Sequence, residues 1–169
     1  MAALIAAIAA PAAEGHGGAH EHGVLHLDVA MDGTSLVIQM ESPLDNVLGF
    51  EHPPRTAAQR QAVAQMLSTL RQGDRLFQPL VAAGCTFKDA TLESALLDQP
   101  AAAASEEHMD MDASYTFTCT APDRLTSITH TLFASFVRLQ RVEVQTAVAT
   151  GQGHQTLRRP DSVIRMSGR

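Results

Sequence analysis

The sequence has no tryptophan and a single tyrosine among its 169 residues, and its formal net charge at pH 7 is −6. It therefore has no ladder of aromatic side chains on which bases could stack, and no basic stripe that could follow a phosphate backbone. These absences exclude a nucleic acid as the partner. The length suits one domain that buries enough apolar surface to fold unaided.

The sequence motifs of common hydrolases and nucleotide-binding enzymes are also missing. There is no G-x-S-x-G elbow and no G-x-x-x-x-G-K-[ST] phosphate loop. A zincin motif would need a histidine at position 24 after His20-Glu21, and Val24 occupies that position. We therefore expect a protein that is not an enzyme.

No apolar run approaches the roughly 20 residues that cross a bilayer, so we expect no stable insertion into a membrane. Residues 1–13, MAALIAAIAAPAA, are apolar and then small, and Ala10-Pro11-Ala12 fits an A-x-A cleavage site. We interpret them as part of a secretory signal peptide whose true start lies upstream, since no Lys or Arg precedes the apolar run. The alternative is an alanine-rich disordered tail.

Cysteine is scarce as well, because Cys85 and Cys119 are the only two. Their number is even, and their spacing is far from the C-x-x-C of a redox or zinc motif. In an oxidising compartment they would form a disulfide, which would close a loop of about 35 residues and contribute roughly 3 to 4 kcal/mol. In the cytosol they would instead be two buried thiols.

Histidine, by contrast, is concentrated in one stretch, EGHGGAHEHGVLHLD at residues 14–28. Neutral imidazole is a common ligand for zinc, and a zinc site takes about four ligands, or three with one position open. Protons compete for the same nitrogens, so affinity should fall below about pH 6.5. Copper and nickel suit these ligands too, and a flexible His/Gly tail without a metal is the alternative. The predicted metal ligands here are His16, His20, His22 and His26.

A second source of ligands lies in residues 98–112, DQPAAAASEEHMDMD, which have no apolar periodicity. We predict an exposed acidic linker there. Its side chains could add oxygen and nitrogen ligands to a metal site, although a solvated acidic loop remains the alternative. The predicted ligands in this segment are Glu106, Glu107, His108 and Asp110.

Hydrophobic periodicity predicts an α+β fold of antiparallel β-hairpins packed against a few helices. Apolar residues alternate on both sides of Asp32-Gly33, a strong hairpin signal, and a two-residue loop there would place His26 opposite Gln39. A capping box at Thr56 opens a helix that we expect to end at Gly73, and residues 76–80 read as a further turn. His130 falls between apolar neighbours and is interpreted as a core histidine.

Several longer motifs of the chain resemble the ZrgA-like zinc-regulated periplasmic proteins of Gram-negative bacteria. The resemblance covers nearly all of the mature chain, in the same order. It rests on HEHG at 20–23, SPLDNVLGFEHPPRT at 42–56, Gly84-Cys85, HMDMDASYTFTC at 108–119, LFASF at 132–136, and RVEVQT before Gly151-Gln152.

The resemblance implies an exported zinc-binding protein of the periplasm, with His-rich segments as ligands and two pseudo-symmetric α/β halves that share a core. Its partner would be the metal ion, and beyond it a zinc importer component or an apo-metalloprotein. The long His/Asp/Glu-rich insertion of many family members is shortened here to residues 106–110, so more of the binding falls to the amino-terminal histidines. The terminal tryptophan expected of the family is also absent near residues 163–166.

We therefore predict a signal-like segment at residues 1–13, a His-rich flexible segment at 14–23, and a single domain at 24–169. The expected function is reversible zinc capture through the His-rich segment, in support of zinc acquisition or trafficking. The alternative is a periplasmic adaptor with no essential metal. Its partner would bind a polar stretch whose residues could equally make structural hydrogen bonds at a tight turn, namely Asp45, Asn46, Glu51 and His52.

Overall fold

The computed structural model describes residues 21–98 and 109–166. Within those ranges, nine strands and five short helices confirm the predicted α+β class. The strands are β1 (Val24–Asp32), β2 (Ser35–Pro43), β3 (Phe77–Pro79), β4 (Cys85–Glu93), β5 (Asp110–Cys119), β6 (Ser127–His130), β7 (Arg141–Val148), β8 (Gly151–Arg158) and β9 (Val163–Arg165). The helices are α1 (Leu44–Leu48), α2 (Ala57–Leu70), α3 (Gly73–Leu76), α4 (Ala95–Asp98) and α5 (Leu132–Ser135).

The strands form two sheets, one of six strands in the order β4-β5-β2-β1-β7-β8 and one of three in the order β3-β6-β9. All pairs are antiparallel except β1 with β7, which are parallel neighbours in the larger sheet. One cluster of buried side chains joins both sheets and the helices, with Leu27 of β1, Ile128 of β6 and Leu70 of α2 among its members. The two sheets therefore share one core, while the division of the fold into two pseudo-symmetric halves stays a prediction.

The β1–β2 hairpin forms as predicted, but its register is shifted by two residues. Asp32 pairs with Ser35, so the loop is Gly33-Thr34, and Gly33 has a φ of 55°. A two-residue loop with glycine first has the glycine requirement of a type II′ turn, and no other described residue type adopts a positive φ. The shift is even, so the buried face is unchanged, but His26 lies opposite Glu41 rather than Gln39.

Helix α2 begins as predicted, because the Thr56 hydroxyl accepts from the Gln59 N–H at 3.1 Å and the Gln59 side chain returns a bond to the Thr56 N–H. It ends slightly early, at Leu70, and Gly73 opens α3. The further turn predicted over residues 76–80 is wrong. Phe77 is fully buried opposite His130, and this pairing makes the segment strand β3.

The acidic linker predicted for residues 98–112 ends earlier than expected. Strand β5 starts at Asp110, and buried Met109 and Met111 anchor its beginning in the core. Alternation of methionine with aspartate in HMDMD was therefore a strand signal. None of the helices in residues 21–98 and 109–166 has the length and apolar character needed to cross a membrane.

The predicted disulfide between Cys85 and Cys119 is confirmed. The two residues face each other at one end of the β4–β5 ladder and are separated by 34 positions in the sequence. Strand β4 is an edge strand whose other side has no strand neighbour in the described sheet. The bridge therefore ties the edge of the larger sheet to its interior.

Candidate metal centre

Both segments that the sequence analysis singled out as ligand sources reach the six-stranded sheet at the same edge. Strand β1 begins there at Val24, and β5 begins there at Asp110, with β2 between them. The Leu44 N–H, just after β2, donates to the Met109 carbonyl oxygen, just before β5, at 2.9 Å. Neighbouring strands are about 4.8 Å apart, so the starts of β1 and β5 lie roughly 10 Å from each other. We call this region, where β1 and β5 begin and β2 ends, the histidine edge.

His22 lies at the histidine edge, immediately before β1, and contacts Glu51. Its Nε2 is 3.1 Å from Glu51 Oε1, and the two side chains are 57% and 14% exposed. Two ligands of one tetrahedral zinc ion, each about 2.1 Å from it, are about 3.4 Å apart. The spacing of this pair is thus close to what a shared ion requires, and the partly buried carboxylate supplies negative charge beside an accessible imidazole.

His26 lies on the exposed face of the sheet in a row of carboxylates. The register places it opposite Glu41, which in turn faces Asp112, and Asp112 faces Glu93 on β4. Together with Asp28, these residues line a groove of about 290 Å³. Like charges directly opposite each other destabilise a sheet, so a cation held in this groove would relieve their repulsion.

On the other side of His26, the register brings Glu143 of β7 alongside it. Glu143 is already engaged by neighbouring side chains. Arg141 Nε lies 2.9 Å from its Oε1, and the Thr156 hydroxyl donates to its Oε2 at 2.6 Å. His154 Nε2 is 3.4 Å from the same oxygen. The Glu143 carboxylate therefore already has three polar side chains as partners.

The remaining predicted ligands differ in whether the structure describes them. Asp110 lies on the same exposed face as Asp112, two residues nearer the histidine edge. Outside the described residues lie His16, His20, Glu106, Glu107 and His108. Within the part of the chain that the structure describes, no group of three or more His, Cys, Asp or Glu is arranged to hold a metal ion. The described residues thus supply two incomplete ligand sets, at His22 and at His26.

Three carboxylates of these sets lie outside both sequence segments that were predicted to supply ligands: Glu51, Glu41 and Glu93. No spacing in the sequence connects them to the histidines, because they are brought together by strand pairing and by the loop after α1. Glu41 alone had a usable signal. Its place on the polar face of β2 was evident, and the correct hairpin register would have put it beside His26.

The polar stretch considered for an adaptor role makes contacts within the chain. Asp45 binds Arg138 through both carboxylate oxygens at 3.1 and 3.0 Å, and Asn46 is hydrogen-bonded to the start of β1. His52 Nδ1 is 2.8 Å from the Pro53 carbonyl oxygen, and its ring stacks on Phe50 at 5.0 Å between centroids. These contacts favour the structural interpretation of this stretch.

Two buried titratable groups lie away from the histidine edge. Burial raises the pKa of the Tyr115 hydroxyl, and it lowers the pKa of His130 to about 4. His130 is 2% exposed, its Nδ1 accepts from the Leu132 N–H at 3.3 Å, and its ring meets the Phe133 ring edge-on. Its Nε2 has no hydrogen-bond partner among the described residues. His130 is therefore a core residue, as predicted, and is neutral at physiological pH.

Neutral burial of His130 makes the fold sensitive to acid. An unfolded histidine titrates near about 6.5, so between that pH and 4 the unfolded chain binds the proton and the folded chain does not. Stability should fall by about 2 kcal/mol between pH 7.5 and pH 5 from this residue alone. Urea unfolding of the chain and of His130→Asn, which keeps an acceptor for the Leu132 N–H, measures the difference. Equal losses in the two proteins would contradict this assignment.

The family model described as ZrgA family zinc uptake protein matches residues 19–166 of the chain. The match takes in both sheets and the whole of the described histidine edge. It includes His20, His22 and His26, whereas His16 precedes it. No curated protein sequence matches the chain.

Proposed function

The chain belongs to the ZrgA family of zinc uptake proteins, and from this premise we propose that it captures zinc reversibly in the periplasm through its His-rich segment. The observation that carries the proposal is the histidine edge. The two segments with predicted ligands, residues 14–23 and 106–110, reach the sheet there roughly 10 Å apart. Carboxylates of the folded domain lie beside His22 and His26.

The partial ligand sets support capture followed by release rather than permanent retention. His22 is more than half exposed, and His26 is exposed on an open sheet face. Ligands that must be ordered around the ion lose conformational entropy, so such a site binds more weakly than a preformed cage. We propose that the chain passes zinc to an importer component or an apo-metalloprotein, and that it acts by binding alone, without catalysis.

Zinc is the proposed cargo because the donors are imidazole nitrogens and carboxylate oxygens, which suit its tetrahedral coordination. Copper and nickel accept the same donors, and copper often binds more tightly. The family's description as zinc uptake proteins favours zinc. Competition among the three ions in the same titration decides between them.

The pair of His22 and Glu51 gives the most direct test of the site. We expect His22→Ala and Glu51→Gln each to weaken zinc binding at least about 10-fold, since loss even of a residue that only orients a ligand costs 10- to 100-fold. Calorimetric titration at pH 7.4 gives the affinity and the stoichiometry.

A matched control is available on β8. His154 is 63% exposed and lies 3.4 Å from Glu143, so it forms the same kind of histidine–glutamate pair and shares no residue with the pair of His22 and Glu51. His154→Ala should leave zinc affinity unchanged. An equal loss in His154→Ala and His22→Ala would place the ion elsewhere and count against the proposed site.

A further inference from the structure

The carboxamide of Asn46 takes the place of a missing strand next to the start of β1. Its Oδ1 accepts from the Gly23 N–H at 2.6 Å, and its Nδ2 donates to the Val24 carbonyl oxygen at 2.6 Å. Strand β2 makes no pair there, because its register with β1 ends at Glu41 and the chain turns into α1 at Leu44. A single side chain therefore completes the backbone pairing of the residue that follows His22.

The environment of Asn46 leaves its carboxamide little freedom. The side chain is 1% exposed, and its Nδ2 also donates to the hydroxyl of buried Ser42 at 3.2 Å. On the side of β7, the Gly23 carbonyl oxygen accepts from the N–H groups of Gln140 and Arg141, both at 2.9 Å. Gly23 is thus held from both sides, with a φ of 85° that other residues rarely adopt.

The same short stretch that contains Asn46 also supplies the carboxylate beside His22. Helix α1 is tied to the loop before β7 by Asp45 and Arg138, and Glu51 follows α1 within three residues. The position of His22 depends on Gly23, and that of Glu51 depends on α1. Asn46 is the direct link between the two, since it belongs to α1 and binds Gly23.

We propose that Asn46 is a positioning residue for zinc binding, which sets the approach of His22 to Glu51 without contacting the ion. This inference rests on the proposed function, since it assumes that His22 and Glu51 bind zinc. Its physical basis is general: partners that orient a ligand are worth about 10- to 100-fold in metal affinity. A buried asparagine that served the fold alone would not change zinc affinity through His22.

The test is a double-mutant cycle on zinc affinity, measured by calorimetry at pH 7.4 on the full chain. In Asn46→Asp, one oxygen can still accept from Gly23 while the other faces the Val24 carbonyl oxygen and is repelled. We expect it to weaken zinc binding at least about 10-fold in the unsubstituted background, and by less than about twofold in the His22→Ala background. Coupling of this kind is the readout that a purely structural role would not produce.

Two further variants keep the test decisive. Ser42→Ala removes the 3.2 Å bond to the carboxamide, together with the bond that the Ser42 hydroxyl donates to the Pro43 carbonyl oxygen, and should weaken zinc binding about threefold even if Asn46→Asp does not fold. Ile128→Val in the three-stranded sheet is the control for lost stability and should leave zinc affinity unchanged.

The outcomes separate this inference from the function on which it rests. Unchanged zinc affinity in both Asn46→Asp and Ser42→Ala would overturn the positioning role while leaving zinc capture intact. An equal loss with and without His22 would overturn it as well, because Asn46 would then act through another group. If the unsubstituted chain shows no saturable zinc binding, the proposed function fails, and this inference fails with it.

Discussion

A chain in which all four amino-terminal histidines are changed to alanine should lose zinc affinity by more than about 100-fold, because ligand loss compounds the 10- to 100-fold cost of losing a single orienting partner. The variant combines His16→Ala, His20→Ala, His22→Ala and His26→Ala. What remains of the two described ligand sets, once His22 and His26 are replaced, is carboxylate without imidazole, which suits harder cations such as magnesium or calcium better than zinc. Calorimetry at pH 7.4 measures the loss.

The same variant should keep its fold, since the two substituted residues that the structure describes are exposed. Its thermal unfolding without zinc should match that of the unsubstituted chain. With zinc at 100 times its dissociation constant, the unsubstituted chain should gain about 2.7 kcal/mol of stability, and the variant should gain less than about 0.5 kcal/mol.

Each contrary outcome has a definite meaning. Full zinc binding in the variant would move the site to His52 or to the acidic segment with Glu106, Glu107 and His108. No saturable binding in either protein would reject zinc capture and leave the adaptor alternative as the better explanation.

Removing the disulfide should have the largest effect on stability. Replacement of both Cys85 and Cys119 by alanine should lower the free energy of unfolding by about 3 to 4 kcal/mol, because the bridge restricts the unfolded chain over the 34 positions between them. It also secures β4, which has a strand neighbour on one side only in the described sheet. Urea unfolding under non-reducing conditions measures the change.

Reduction gives the control for this prediction. Dithiothreitol should destabilise the unsubstituted chain by a similar amount and leave the cysteine-free variant unaffected. The cysteine-free variant should bind zinc with the same affinity as the unsubstituted chain, because the Cys85–Cys119 pair lies at the opposite end of the β4–β5 ladder from Glu93 and Asp112. An unchanged unfolding midpoint after reduction would contradict the stabilising role.

Local signals in the sequence predicted the local structure well. The capping box at Thr56 fixed the start of α2, and the alternating residues around Asp32-Gly33 placed the buried faces of β1 and β2 correctly. The hairpin register was wrong by two residues because Asp32 does not adopt the positive φ that an Asp-Gly loop requires. A shift by an even number leaves every side chain on its own face, so hydrophobic alternation alone carried no information about the error.

The parts that the sequence did not predict all depend on contacts between distant segments. Strand β3 has only three residues, and it is a strand because Phe77–Pro79 pair with β6 some 50 positions later. The parallel pairing of β1 with β7 and the approach of Glu51 to His22 are of the same kind. Residue spacing along the chain does not encode such pairings. They form because they allow the apolar side chains of both sheets to be buried in one core.

The sequence by itself determined the disulfide partners, the alternating faces and the family, and it supplied the candidate metal ligands, because each of these depends on which residues are present and on their nearby spacing. Tertiary structure decided where that chemistry is placed. It brought the starts of β1 and β5 to one edge, set Glu41 and Asp112 in line with His26, and held Gly23 against Asn46. The reason is physical: strand order and register are selected by burial of the whole core, which no single stretch of sequence contains.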